Sequence, residues 1–390
     1  MRRALVMAML LSHVHAWPAD AQRPEHTTAN GRAATAPAEV LTPQQWRQVD
    51  EAVERALVWL AAQQQANGSF PSQDVAQPAV TSLAVMAFLA HGHVPGEGPY
   101  GRPLERAIEF VLDCQKPSGL IALRAPETRT IPRDGPDPIA ITTTYNHAIA
   151  GLMLSEAYGN YRGRDSERMQ LVIRAAIDAT LTIQNWQRRP ADDGGWGYLK
   201  PVFGIEADMS VVGWHLQFLR AAANAGFDVP KDAIDRAVAF VRRNFHPGYG
   251  TFIYRVGSPS RSRAMAGEGV LALSHAGLHN SDEARAAAQW ILDRGFHEYN
   301  GSISTAYTQA NQDRYHYSLF HCSQAMYQLG GRYWQEFFPP AVSTLVAHQS
   351  ADGSWARERD FDNQYGNAYT TALVVISLGA PNELLSIYQR

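Results

Sequence analysis

The sequence predicts an all-α fold, an (α/α)6 toroid in which a double ring of about twelve helices carries QW-like repeats. Three observations predict it. A short pattern recurs between helical stretches: a Gln, a Gly four residues on, and an aromatic or aliphatic residue two beyond that. Amphipathic stretches alternate with stretches that are apolar nearly all round. The apolar stretches start at Thr81, Asn146, Val211, Met265, His321 and Thr370, so they recur 49 to 65 residues apart.

The amphipathic helices come first in each pair. Thr42-Pro43 to Gln65 has Val49, Val53, Ala56, Leu57 and Leu60 at helical spacing. Leu104–Cys114, Ser166–Gln184, Pro230–Phe245, Asp282–Leu292 and Phe337–Gln349 follow the same plan. After each helix the chain turns at the pattern. The copies are Gln64…Gly68-Ser-Phe70, Gln115…Gly119-Leu-Ile121, Gln184 followed by Gly194-Gly195-Trp196-Gly197, and Gln349…Gly353-Ser-Trp355. Degenerate copies end in Gly250-Thr-Phe252 and Gly301-Ser-Ile303. Glycine stops the helix because it accepts positive φ at no cost, and the residue after it packs back on the helix end. The second helix of each pair ends in Leu: Leu89, Leu154, Leu219, Leu273, Leu329 and Leu378. These form an inner ring with the amphipathic helices outside. An open superhelical solenoid is the other arrangement such repeats allow. Closure is preferred because Tyr369 to Leu378, the last inner helix, has no polar capping face.

Residues 42–390 read as one toroid domain, since the repeat runs through them without a break. The 390 residues are 45% hydrophobic with a formal net charge of −3, enough for a large core. No basic run or aromatic–basic interleaving marks a nucleic-acid surface, so nucleic-acid binding is not expected. Arg2-Arg3, the apolar run Ala4–Leu11 and Ala19-Asp-Ala21 read as an export signal over residues 1–21, cleaved before Gln22, with cleavage after Ala16 as the alternative. Residues 22–41, rich in Ala, Thr and Pro, read as a disordered leader. No transmembrane segment is expected; membrane-surface association is left open, and the oligomeric state is not legible. The expectation is an exported protein, periplasmic or secreted. Cys114 ends an outer helix and Cys322 lies in an inner one, so two buried thiols are preferred over a disulfide.

The Gln-x-x-x-Gly-x-Trp copies and the alternating helices resemble the repeat of squalene–hopene cyclases, oxidosqualene cyclases and protein prenyltransferase β subunits. The resemblance runs from about Thr42 to the C-terminus. It implies a toroid whose inner helices surround a cavity for an apolar, isoprenoid-like ligand. Class II terpene cyclases protonate an alkene or epoxide with the middle Asp of Asp-x-Asp-Asp. The analogue here is Glu206-Ala-Asp208-Met209 just before an inner helix, so the resemblance implies Asp208 as acid and Glu206 as its partner. The plain structural reading of Asp208, a helix N-cap, stands beside it and is slightly preferred. Asp360-Phe-Asp362-Asn363 is nearer the motif as a string but lies further from the next helix, and is read as a surface loop.

Prenyltransferase β subunits hold zinc with Asp, Cys and His. Asp313-Arg-Tyr315-His316 resembles the segment carrying the His, but Arg263-Ala-Met-Ala-Gly267 supplies neither Asp nor Cys, so no metal and no cofactor is expected. Tyr145, Trp214 and Tyr315, near the starts of inner helices, are candidate ligand-binding aromatics, with core packing the alternative. Glu268, in the middle of an apolar inner helix, is a candidate cavity acid; a salt bridge to Arg255, Arg261 or Arg263 is preferred. His147 and His215 read as hydrogen-bonded core residues. The expected function is binding of an isoprenoid-like ligand with proton-initiated cyclisation or isomerisation. The alternative is a non-catalytic binding or interaction module that keeps the toroid without the chemistry. A glycoside hydrolase or polysaccharide lyase with paired carboxylates at one rim ranks third.

Overall fold

A computed structural model describes residues 40–161, 166–186, 188–201, 206–303 and 313–389. The export signal expected at 1–21 and nearly all of the 22–41 leader lie outside these residues. Thr42 begins the first helix with a capping box: its hydroxyl accepts from the Gln45 amide and the Gln45 side chain accepts from the Thr42 amide.

Among the described residues there are twelve α-helices. The outer six are α1 (Pro43–Gln63), α3 (Gly101–Asp113), α5 (Ser166–Gln184), α7 (Lys231–Arg243), α9 (Asp282–Leu292) and α11 (Gly331–Ala347). The inner six are α2 (Ala79–Leu89), α4 (Ile139–Tyr158), α6 (Met209–Asn224), α8 (Arg263–His275), α10 (Tyr315–Leu329) and α12 (Gly366–Leu378). A short hairpin, β1 (Phe245–His246) with β2 (Thr251–Phe252), follows α7. Every residue of α2 is buried, whereas α1 and α3 bury one stripe each. This is the inner and outer division the sequence pattern implies.

Each inner helix packs on the next, and α12 packs on α2. The ring therefore closes, and the open solenoid is excluded. The Gln of each clear repeat copy does the fastening. Gln64 Nε2 donates to the Gly68 carbonyl (3.0 Å) and to Pro103 at the start of α3 (2.8 Å). Gln115 reaches Val172 of α5 (2.9 Å), and Gln184 reaches Ala233 of α7 (2.8 Å). Gln349 closes the circle: it donates to Gly353 (2.8 Å) and to Ala52 of α1 (2.7 Å). Gly353 has φ +95, and a Cβ there would stand 2.6 Å from the Arg55 carbonyl oxygen, so only glycine lets the turn lie against α1. The Trp of the motif turns inward. Trp196 and Trp355 are fully buried and donate their indole N–H to Thr180 and Leu345 of the preceding outer helices.

Several inner helices begin earlier than their apolar runs suggest. Helix α4 starts at Ile139 rather than Asn146, and α10 at Tyr315 rather than His321. Their first turns are more polar because they border a cavity. Helix α11 also starts early, at Gly331, and runs through Pro339 and Pro340. The chain end, Ala380–Gln389, folds across the C-terminal ends of the inner helices. Glu156 of α4 accepts from the Ser386 and Ile387 amides and the Ser386 hydroxyl, Tyr388 donates to Gln217 of α6 (2.6 Å), and Gln328 of α10 donates to the Tyr388 carbonyl (2.6 Å). Leu385, Ile387 and Tyr388 are buried.

Candidate active site

The N-terminal turns of all six inner helices surround one cavity of about 510 Å3. That is within the usual range for a small-molecule site. Much of its wall is aliphatic: Ala76, Ala79, Val80, Leu83, Ile141, Ile149, Ala264 and Met265. Aromatic side chains add Tyr145, Tyr198, Trp214, Tyr254, Tyr317, Tyr365 and Tyr369. Two carboxyl groups, Asp208 and Asp362, and three arginines, Arg255, Arg261 and Arg314, line it as well, with Thr142, Asn146, Ser210, Ser260 and Ser262.

Asp208 is the N-cap of α6 that the structural reading expects, with extended backbone, and its Oδ1 accepts from the Val211 amide (3.1 Å) and the Ser210 hydroxyl (2.6 Å). It also lines the cavity, and Oδ2 accepts from the Tyr254 hydroxyl (3.2 Å). Tyr198 and Tyr254 share a hydrogen bond (2.8 Å), and Tyr145 meets Ser210 (2.6 Å). Burial raises the pKa of Asp208, opposed by the hydrogen bonds it accepts from Ser210, Val211 and Tyr254. The result is a buried acid in a collar of neutral hydroxyl donors.

The other expected site residues divide. Tyr145 and Trp214 line the cavity. Glu206 does not join Asp208. Arg188 donates to the Glu206 backbone carbonyl, and the Glu206 charge acts on that guanidinium instead. Tyr315 is not a cavity residue: it packs edge-on against Phe296 and Tyr299, both at 5.4 Å. Tyr317, two residues later and about 200° round the helix, takes the cavity position. Glu268 lies one layer behind the wall. It accepts from the Tyr317 hydroxyl (2.7 Å), which accepts from the Trp214 indole N–H (3.0 Å), and His321 Nε2 stands 3.2 Å away. Burial holds the Glu268 carboxyl well above its usual pKa and pulls the His321 imidazole down to about 3. The expected arginine partner goes elsewhere, because Arg263 pairs with buried Asp313 (2.7 Å).

Asp362 corrects the sequence reading. It is not surface polar sequence: it is 7% exposed, lines the cavity and is paired with Arg314 Nε at 2.5 Å. The turn Asp360–Tyr365 is a 3-10 helix that carries it to the head of α12. Burial lifts its pKa to about 6 against the pull of Arg314. Sequence reasoning also missed Tyr198 and Tyr254. Each stands two residues beyond the aromatic of a repeat copy, Trp196 and Phe252, and that spacing was the available signal.

The prenyltransferase-type residues do not converge. Asp313 is held by Arg263, His316 Nδ1 lies 3.2 Å from Glu358, and the Cys322 thiol donates to the Arg263 carbonyl. Among the described residues no group of three or more His, Cys, Asp or Glu could hold a metal ion, and no helix is long and apolar enough to cross a membrane. Cys114 and Cys322 are both free and buried.

No protein-family model and no curated protein matches the sequence. Solved structures do share the fold. A variant of the type II terpene cyclase MstE from Scytonema, in complex with its product merosterolic acid A, is 17% identical, covers 88% of this chain and 99% of its own, and superposes with a TM-score of 0.57. A second variant, with the substrate geranylgeranyl dihydroxybenzoate, is 16% identical over 88% and 100%, at 0.55. A glycosidase is 12% identical over 88% and 100%, at 0.56. The chain has the all-α toroid fold of terpene cyclases, a fold it shares with a glycosidase.

Proposed function

We propose that the protein binds an isoprenoid-like substrate in the inner cavity and isomerises it by proton-initiated cyclisation, with Asp208 as the acid. The observation that carries this reading is a largely aliphatic and aromatic cavity with a buried carboxyl on its wall. A carboxyl whose pKa is raised by burial keeps its proton closer to neutral pH, and the Ser210, Val211 and Tyr254 donors stabilise the carboxylate left when the proton passes to a bound alkene. Trp214, Tyr145, Tyr317 and Tyr369 supply π faces that stabilise positive charge without quenching it. The MstE complexes hold a geranylgeranyl chain on an aromatic acid, which makes that substrate a natural probe here.

The glycosidase of the same fold and the second carboxyl in the cavity favour sugar hydrolysis as a second reading. The apolar side chains of α2, α4 and α8 in the cavity wall favour a hydrocarbon over a sugar, although Tyr, Ser, Asn, Arg and Asp groups line the rest. Export through residues 1–21 is part of the proposal; N-terminal sequencing of the mature protein reports it directly. The function itself is tested by product analysis. Purified protein is incubated with squalene, oxidosqualene and geranylgeranyl dihydroxybenzoate, beside Asp208→Asn, and extracts are read by chromatography with mass spectrometry. A cyclised isomer that disappears in the variant supports the acid. No product from any substrate sinks the cyclase and leaves the binding module.

A further inference from the structure

Two carboxyl groups face this cavity, and they come from opposite sides of the ring. Asp208 heads α6, the third inner helix; Asp362 lies in the turn before α12, the sixth. In a closed ring of six, the third and sixth places face each other. The surroundings of the two acids differ in kind. The hydrogen bonds to Asp208 come from neutral groups, the Ser210 and Tyr254 hydroxyls and the Val211 amide. Asp362 has a cation, Arg314, at 2.5 Å. A guanidinium in contact favours the ionised carboxylate, whereas neutral donors in a buried site favour it less. Burial raises both groups, Asp362 to about 6, so beside Arg314 the Asp362 carboxyl is largely ionised at neutral pH and able to take a proton.

We propose that Asp362, held as a carboxylate by Arg314, is the catalytic base that ends the reaction Asp208 begins. The inference rests on the cyclase reading. Proton transfer from Asp208 to a terminal alkene leaves a carbocation at that end of the substrate. Each ring closure spends a C=C pair on a new C–C bond and moves the positive charge along the chain, away from Asp208. The charge arrives at the opposite wall, where Tyr365 and Tyr369 stand edge-on at 5.6 Å beside Asp362. Asp362 takes a proton from the carbon next to the cation, and the C–H pair becomes a C=C bond. Asp362 is then neutral and Asp208 ionised; one proton lost to solvent and one gained restores both. The net change is an isomerisation that consumes no oxidant, reductant or co-substrate. A cation that meets no base persists until water captures it, which gives an alcohol.

The test compares product profiles of wild type, Asp362→Asn, Asp362→Glu and Asp208→Asn with squalene and geranylgeranyl dihydroxybenzoate. The expected result in Asp362→Asn is a ratio of cyclic alkene to alcohol or part-cyclised product lowered by at least about tenfold. Asp362→Glu recovers part of the ratio, which keeps the test alive if the Asn variant folds poorly. An unchanged ratio in Asp362→Asn, with product still lost in Asp208→Asn, overturns this inference and leaves the cyclase reading standing. Complete loss of consumption in a folded Asp362→Asn also overturns it, since Asp362 then starts the reaction. No product from wild type, or product undiminished in Asp208→Asn, overturns the cyclase reading and this inference together.

Discussion

Gln349→Leu tests the closure of the ring. The side chain of Gln349 joins the end of the last outer helix to the first, through Ala52 at 2.7 Å and its own turn through Gly353 at 2.8 Å, while Arg55 donates to its Oε1. Leucine has nearly the same volume and no donor. The Ala52 carbonyl keeps its helical partner within α1, so its loss is at the low end for a hydrogen bond, about 1 kcal/mol. The Gly353 carbonyl loses its side-chain donor in a part-buried turn, at about 1–3 kcal/mol. Arg55 is exposed and adds little. The sum is about 2–4 kcal/mol, or a fall in Tm of roughly 4–8 °C at about 2 °C per kcal/mol for a large domain. Gln64→Leu, which removes the equivalent link between α1 and α3, is the control and has the same expected size. Both variants are followed by circular dichroism and urea titration. A loss below about 0.5 kcal/mol in Gln349→Leu beside a full loss in Gln64→Leu refutes the reasoning, because the seam would then carry no energy.

Three further outcomes follow from the same geometry. Asp208→Asn keeps an acceptor for the Val211 amide and leaves stability within about 0.5 kcal/mol, whereas Asp208→Ala loses the cap and costs about 1 kcal/mol in urea denaturation. The Asp362 pKa is raised on folding, so its contribution is present below the unfolded value of 3.8 and is lost as pH rises through about 6. Relative to Asp362→Asn, wild type therefore loses about 3 kcal/mol between pH 3.5 and 7, measured by urea titration at each pH; parallel curves would contradict it. Gly267→Ala places a Cβ 2.8 Å from the backbone of His321 and Cys322, where neither helix can yield, and lowers stability by about 1–3 kcal/mol in thermal melts.

The ring was legible because its signals are local and repeated. Gln349, Gly353 and Trp355 do in the structure what their types allow: a two-way donor, a left-handed turn and a buried wedge. Inner helices were legible as apolar runs, but their starts were not. Tyr145 lies in the second turn of α4 and Tyr317 in the first of α10, ahead of the apolar runs that mark those helices in the sequence, and both line the cavity. Asp208 was legible as a cavity residue because a helix cap and the cavity wall share one position before α6. Asp362 was misread because its link to the cavity is a partner, Arg314, 48 residues away in sequence, and a single sequence does not show that pairing. Glu206 shows no hydrogen bond to Asp208 despite its adjacency in sequence, and its backbone carbonyl accepts from Arg188.

The cavity owes its character to an asymmetry between the two ends of the inner ring. All six inner helices run the same way, so their N-termini gather at one end and their C-termini at the other. The C-terminal end is filled. Trp214 stacks on Phe320 at 5.2 Å, Phe320 meets Tyr388 edge-on, and Glu156 fixes the tail that carries Tyr388. The N-terminal end keeps space and holds both acids. Free amides of six helix starts bias that end positive, which favours ionised carboxylates and works against any acid placed there. Asp208 counters that bias by burial and by neutral hydroxyl partners, while Asp362 accepts it and adds a guanidinium. Asp208 also caps α6, which any toroid of this kind would use, whereas the buried Asp362 raises the cost of the folded state near neutral pH. The fold alone is silent on this point, because a glycosidase uses it too. The two acids in one largely apolar cavity are the feature on which the proposed cyclisation rests.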